Sequence, residues 1–349
     1  MLARELIENP ADCRPHVVVL GAGASLAAFP SGDAQGRRLP LMRDLAELIG
    51  LAPLFISAGI EQGLDDFEAA FALLASRDDL ASTRAHIETS VHAYFAAMEL
   101  PETATLYDRL VLSLRPCDAI LTFNWDPFLF DAFARNRQIA APPLVYFLHG
   151  NVRIGACDEH PRPGLIGGAC RTCGKHVAPV PLLYPVGNKD YTSNAYIAAA
   201  WSDARELLAE ALTLTVFGYA APVSDAGAVS LLRDSWFSRS SRQFEHMQVI
   251  DIAPSAELHR RWSKFLPTGH LHPIARFEDS WLSLWPRRAN QALLHTMRTG
   301  MPSAAFPLAQ THDLRELQRC AANIAAHEGP RGYRDLGGQE SASQHAPER

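Results

Sequence analysis

Asn124, Asp126, His149 and a glycine-rich turn, Gly21-Ala22-Gly23-Ala24-Ser25, are the parts of this sequence best equipped to do chemistry on a small ligand. An imidazole with its ordinary pKa of about 6.5 accepts a proton at neutral pH, from water or from a sugar hydroxyl. An asparagine orients the same groups with both ends of its amide, and a carboxylate accepts N–H bonds. Taken singly, each has a plainer use, the asparagine as a helix cap and the histidine as a core residue bonded to backbone. Gly21 and Gly23 leave room for an anion, and a helix starting just after them aims free N–H groups at a phosphate. The third glycine of the full dinucleotide fingerprint is missing, with Ala27 near its place, so a nucleotide site and a simple strand-to-helix turn both fit. If the turn holds a phosphate, a bulky residue at position 23 is expected to weaken binding by crowding it, without necessarily unfolding the loop.

A second cluster has the chemistry of a metal site. Cys157 and His160, then Cys170 and Cys173, form two pairs of soft ligands, each pair separated by two residues. Two tight knuckles of this spacing suit tetrahedral zinc, and four protein ligands leave no open position, so the ion is expected to be structural. The other reading is a loop histidine beside unliganded cysteines. Cys13, Cys117 and Cys320 are expected to be buried as small apolar residues.

Short apolar runs position these residues. His16–Leu20 reads as a strand buried on both faces and runs into the glycine turn. Asp118–Phe123 delivers Asn124-Trp125-Asp126, Val145–Leu148 delivers His149-Gly150-Asn151, and Leu212–Phe217 delivers Gly218-Tyr219. Val249–Ile252 carries Asp251, an acid suited to an adenosine ribose, to capping a helix or to a surface position, and His272–Ala275 adds a last short strand. Helical patterns fall between them at Phe128–Arg135, Ala198–Leu212, Asp225–Trp236 and Ser255–Leu266. Alternation of this kind builds a parallel sheet, with a ligand crevice along its carboxyl edge. Between the first two strands, Leu39–Ile49 and then Leu64–Leu114 read as helical, with Phe67, Phe71 and Leu74 on one face and Ile87, Val91, Tyr94 and Phe95 on another. Helices are also expected at Phe277–Trp285, Gln291–Met297 and Leu314–Ala326.

The fold class is therefore α/β, a Rossmann-like parallel sheet of about six strands with helices on both faces, a helical insertion and a small zinc-ribbon-like module. The expected pieces are the sheet domain at 1–38, 116–154 and 181–286, a helical module at 39–115 and a zinc module at 155–180. C-terminal helices at 287–328 and a disordered tail at 329–349 follow. A formal net charge of −6 argues against a dedicated nucleic-acid surface. The N-terminal residues lack the apolar core of a secretory peptide, and no stretch approaches membrane-spanning length, so the cytoplasm is the expected compartment.

In this order, the glycine turn, Thr122-Phe123-Asn124-Trp125-Asp126, Leu148-His149-Gly150, the cysteine pairs, Gly218-Tyr219 and the late strand with Asp251 resemble the motifs of the sirtuin superfamily. The resemblance spans about residues 16 to 285. It implies NAD as the ligand and structural zinc, with Asn124 and Asp126 lining a nicotinamide pocket and His149 as the catalytic base. It implies that Gly21, Ala22, Gly23, Ser25, Gly218, Tyr219 and Asp251 bind the cofactor. The chain departs from protein-deacylating sirtuins at Ala27–Gly36, where their acidic–aromatic–arginine run is missing, and at Pro181–Tyr191, where their peptide-pairing strand stands. Tyr184-Pro185, Asn188-Lys189, Trp201 and Gly218-Tyr219-Ala220-Ala221-Pro222 with Asp225 look instead like bacterial sirtuin-like proteins of antiphage defence. That branch implies NAD hydrolysis, a homo-oligomer and a partner such as a HerA-type ATPase. An NAD-dependent deacylase and a non-catalytic NAD or ADP-ribose binding module stay open beside it.

Overall fold

The computed structural model describes residues 14–61, 63–160, 163–185, 191–192, 194–221, 225–236, 246–263 and 270–326. Cys13, Asn188-Lys189, Pro222 and the expected tail lie outside the described residues. The central sheet has six parallel strands: β1 His16–Leu20, β2 Ala119–Thr122, β3 Leu144–Phe147, β7 Thr213–Phe217, β8 His246–Ile250 and β9 Leu271–Ile274. Their order across the sheet is β3-β2-β1-β7-β8-β9. The direction of winding reverses between β1 and β7, where the open α/β sheets of dinucleotide-binding proteins place their crevice.

Every residue of β1 is buried, Val17, Val18 and Leu20 completely. Successive side chains of a strand point to opposite faces, so this burial means that both faces are covered. Each of these side chains contributes roughly 1.5–3 kcal/mol by leaving water. The start of the strand is pinned from its neighbour. His16 N–H donates to Asp118 Oδ1 at 2.9 Å, and Arg115 closes on the same carboxylate at 2.9 Å. His16 is buried with Nε2 at 2.7 Å from Thr215 Oγ1, and burial pushes its pKa down to about 4.

Between β1 and β2 lie the helices Phe67–Ala75, Ala81–Ala96 and Leu106–Leu112. Phe67, Phe71, Leu74, Ile87, Val91 and Phe95 are buried as their spacing predicts, while Tyr94 is half-buried and its hydroxyl donates to the Arg38 carbonyl. The expected helix over 39–49 is reduced to Leu45–Leu48. Asp44 Oδ1 accepts from Leu41 N–H at 2.6 Å and folds the preceding residues into a turn instead. The expected helix over 277–285 is also interrupted, by a break at Ser280, whose side chain caps Trp281–Leu284.

After β3 comes a three-stranded antiparallel sheet, β4 Ile154–Ala156, β5 Pro163–Leu165 and β6 Ala178–Pro179, in the order β5-β4-β6. It carries the cysteine knuckles. Helix Ala195–Glu210 then returns the chain to β7, and helix Leu314–Ala326 packs Leu317 and Ala321 with Leu112 and Leu308 in a small separate core. Cys117 and Cys320 are only half-buried, against expectation, because Cys117 lies in the turn before β2 and Cys320 at the edge of that small core. No helix among the described residues is long and apolar enough to cross a membrane.

Candidate functional site

A cavity of about 750 Å³ opens beyond the carboxyl ends of β1, β2, β3, β7 and β8. That volume falls within the range of roughly 300–1,000 Å³ common to small-molecule and cofactor sites. Gly21, Ala22, Gly23, Ser25, Asn124, Asp126, His149, Gly218, Tyr219 and Asp251, ten residues from five strand ends, all line it. The structure thus brings together every proposed catalytic and cofactor-binding residue.

The glycine turn is close-packed against the turn after β7. A Cβ on Gly21 would stand 2.6 Å from the Gly218 carbonyl oxygen, and one on Gly23 would stand 2.9 Å from the Gly218 backbone. Gly23 N–H donates to Gly218 O at 2.9 Å, and Gly218 itself holds φ +61°. The glycines are therefore required by the approach of two backbone segments at the switch point. This corrects the expectation for position 23, since a bulky residue there displaces the loop whether or not a phosphate is present.

Helix Ala22–Ala28 begins directly after Gly21 and carries Ser25 into a buried polar network. Ser25 Oγ lies 2.6 Å from Tyr107 Oη and donates to Asp126 Oδ2 at 2.6 Å. Asn124 Nδ2 donates to Gly21 O and Ser25 Oγ, both at 3.0 Å, and to Tyr107 Oη at 3.3 Å. The amide nitrogen is thereby occupied, and Oδ1 is the end left for a ligand. Asn124 therefore has one working end, where the sequence allowed two. Asn151 Nδ2 donates to the Asp126 carbonyl at 2.6 Å and holds the 124–126 turn in place.

Burial pushes the Asp126 pKa up to about 6, against hydrogen bonds from Ser25 and Phe128 N–H that favour the carboxylate. Its folded pKa thus lies above the unfolded value of about 3.8, so the protonated form favours the fold. This stabilisation is complete below the unfolded pKa and is lost as pH rises through about 6. We expect the wild type to lose on the order of 2 kcal/mol more than Asp126→Asn between pH 4 and pH 8. Parallel denaturant titrations at the two pH values check this, and equal losses in both proteins would mean that Asp126 titrates normally.

His149 stands at the end of β3 with Nε2 3.7 Å from Asp225 Oδ1. Its backbone is fixed on three sides. Leu148 N–H donates to Thr122 O, Trp201 Nε1 donates to Leu148 O at 3.0 Å, and Leu183 N–H donates to His149 O at 2.9 Å. Phe123 meets the imidazole edge-on at 4.7 Å and stacks on Tyr219 at 4.5 Å. Tyr219 Oη donates to Asp225 Oδ2 at 3.0 Å, and burial holds the phenol pKa far above its ordinary value, so it remains a donor. Asp251 is engaged at the far end of the cavity, its Oδ1 accepting from Ala253 N–H at 2.8 Å and its Oδ2 lying 3.6 Å from Arg261.

Three residues here were not singled out from sequence as parts of the site. Asp225 was read as the start of a helix and a mark of one family branch, while Tyr107, which meets Ser25 and Asn124 from behind the cavity, and Arg43, which reaches the cavity wall from the turn before Leu45–Leu48, carried no signal. The place of Asp225 just after the strand-end Gly218-Tyr219 was noted from sequence, but a role in the site was not drawn from it.

Cys157, His160, Cys170 and Cys173 also come together, with their ligand atoms all within 4.8 Å of one another. Cys157 Sγ lies 3.6 Å from Cys173 Sγ and 3.8 Å from His160 Nδ1, which is 3.8 Å from Cys170 Sγ. Zinc–sulfur bonds of about 2.3 Å place tetrahedral ligands about 3.8 Å apart, so this donor set fits the ion. The backbone N–H groups of Cys173 and Thr172 pull the Cys170 thiol down to about 6, toward the thiolate that zinc needs.

No protein-family model matches the chain, and no curated protein matches it. Solved structures of Sir2 enzymes do match. One, concerned with the mechanism and regulation of these enzymes, is 14% identical with a TM-score of 0.38, covering 93% of this chain and 98% of its own. A Sir2 homologue in complex with NAD is 14% identical with a TM-score of 0.35, covering 85% of this chain and 94% of its own. Sir2 bound to an acetylated peptide is 12% identical with a TM-score of 0.34, covering 82% of this chain and 93% of its own.

Proposed function

We propose that this chain is a sirtuin-like NAD glycohydrolase, which cleaves NAD with water to nicotinamide and ADP-ribose. The observation that carries this reading is the convergence of Asn124, Asp126 and the His149–Asp225 pair on one cavity at the switch point, beside the glycine turn. In this reaction the bond between the ribose C1′ and the nicotinamide nitrogen breaks. Its electron pair neutralises the positive ring, so the leaving group needs no acid. Water forms the new C1′–O bond and gives up a proton. Asn124 Oδ1 orients that water or a ribose hydroxyl, His149 takes the proton, and Asp225 steadies the resulting imidazolium. Asp126 accepts from the nicotinamide carboxamide while Ser25 holds its other side.

Hydrolysis is favoured over peptide deacylation by the segment after the zinc module. Its described residues 181–185 form no strand, and Leu183 N–H is already given to the His149 carbonyl. An acyl-lysine peptide seeking a strand edge finds none there among the described residues. Zinc on Cys157, His160, Cys170 and Cys173 is structural in this reading and takes no part in the reaction. A role in cytoplasmic antiphage defence, with homo-oligomers and a HerA-type ATPase partner, extends the proposal.

The test is incubation of the purified protein with NAD, alone, with an acetylated peptide and with a neighbouring defence ATPase, followed by chromatography. Nicotinamide and ADP-ribose are expected without peptide. Release only with peptide would make the chain a deacylase, and binding without release in every arm would make it a binding module.

A further inference from the structure

Tyr107 comes from helix Leu106–Leu112 of the helical insertion and is fully buried, with its hydroxyl against Ser25 and Asn124. Its ring packs edge-on against Phe29 at 5.7 Å, which a phenylalanine would reproduce. The hydroxyl therefore does something that packing does not require. The hydrogen bonds around it have one self-consistent direction. Gly21 O can only accept, which fixes the nitrogen end of the Asn124 amide on it. The Asp126 carboxylate can only accept, which takes the single proton of Ser25. Ser25 Oγ is left as an acceptor, and Tyr107 is the donor that fills it from the buried side. Burial holds the Tyr107 pKa well above 10, which keeps that proton in place. The second N–H of Asn124 lies between Ser25 Oγ and Tyr107 Oη.

We infer that Tyr107 is a positioning residue that, through Ser25, locks the Asn124 amide with Oδ1 toward the ligand. The inference rests on the glycohydrolase reading for its effect on turnover, though not for the state of the amide itself. The contact ties the reacting end of Asn124 to a helix 82 residues away from Ser25 in sequence, so the insertion sets the geometry of the site as well as covering it.

The test is Tyr107→Phe, alone and with Asn124→Ala. Loss of one neutral hydrogen bond in the network corresponds to roughly a tenfold effect. We expect kcat for nicotinamide release to fall about tenfold with KM for NAD within about twofold. In the Asn124→Ala background the same change is expected to have no further effect, because its target is gone. A merely structural role would lower activity in both backgrounds, and that result overturns the inference. Independently, the Asn124 side-chain amide protons, identified by their loss in Asn124→Ala, are expected to exchange with water at least about tenfold faster in Tyr107→Phe. If the wild type releases no nicotinamide, the glycohydrolase reading fails by itself, and unchanged amide exchange then overturns the role of Tyr107.

Discussion

His149→Ala and Asn124→Ala are each expected to lower nicotinamide release from NAD by about a hundredfold or more, the usual scale for a proton acceptor or an orienting group placed at the reacting atoms. His149→Ala removes the proton acceptor of the proposed hydrolysis and leaves Asp225 without the imidazole 3.7 Å away. Asn124→Ala removes Oδ1 and also frees Gly21 O, Ser25 Oγ and Tyr107 Oη from a shared donor. The histidine variant should therefore lose kcat with little change in melting, and the asparagine variant should lose kcat with a modest drop in stability. Steady-state kinetics, a thermal melt and metal analysis on the same preparations separate these effects. Zinc content is expected to stay at wild-type level, because neither residue belongs to the cysteine set. Wild-type turnover in both variants would remove these residues from the reaction.

Removal of zinc is expected to reach the site from a distance. Isolated zinc-finger peptides gain roughly 10–16 kcal/mol of apparent free energy from their ion, which is why an incomplete ligand set unfolds such modules. Cys170→Ala should therefore bring metal content from about one ion per chain to a small fraction and open residues 157–176 to proteases. The module is continuous with the site. Val180 N–H donates to Ile154 O, and the next residues lie against the turn after His149, where a Cβ on Gly150 would stand 2.2 Å from Pro181 O. Leu183 N–H completes the path to the His149 carbonyl. Chelation should therefore lower turnover together with stability. Metal-free protein with unchanged melting and proteolysis would show that the four ligands hold nothing that matters to the fold.

The strands were legible because Val17–Leu20, Ile120–Leu121 and Thr213–Phe217 are compact runs whose burial on both faces leaves no other use for so much apolar surface. The residues just past them were legible for the same reason, since strand ends in a parallel sheet converge. The turn at 39–44 was not, because one hydrogen bond from Leu41 N–H to the Asp44 side chain overrides an apolar spacing that suits a helix. The break at Ser280 has the same origin. Tyr107 and Asp225 join the candidate site through partners far away in sequence or in a second turn, and neither residue type marks such a pairing. Gly21 and Gly23 were read as space for a phosphate, whereas their tightest neighbour is the backbone of Gly218, nearly 200 residues on.

The central place of β1 sets an order on synthesis. His16 pairs with Thr213 on one side, and Val17 with Ala119 on the other. At ribosomal rates of about 5–20 residues per second, β1 waits on the order of ten to forty seconds for its second neighbour. Until then it is an apolar strand with an open edge, a natural client for chaperones. The glycine turn has nothing to close against before Gly218 is made. A nascent chain therefore has no closed cavity, and any activity housed there begins only when most of the protein exists.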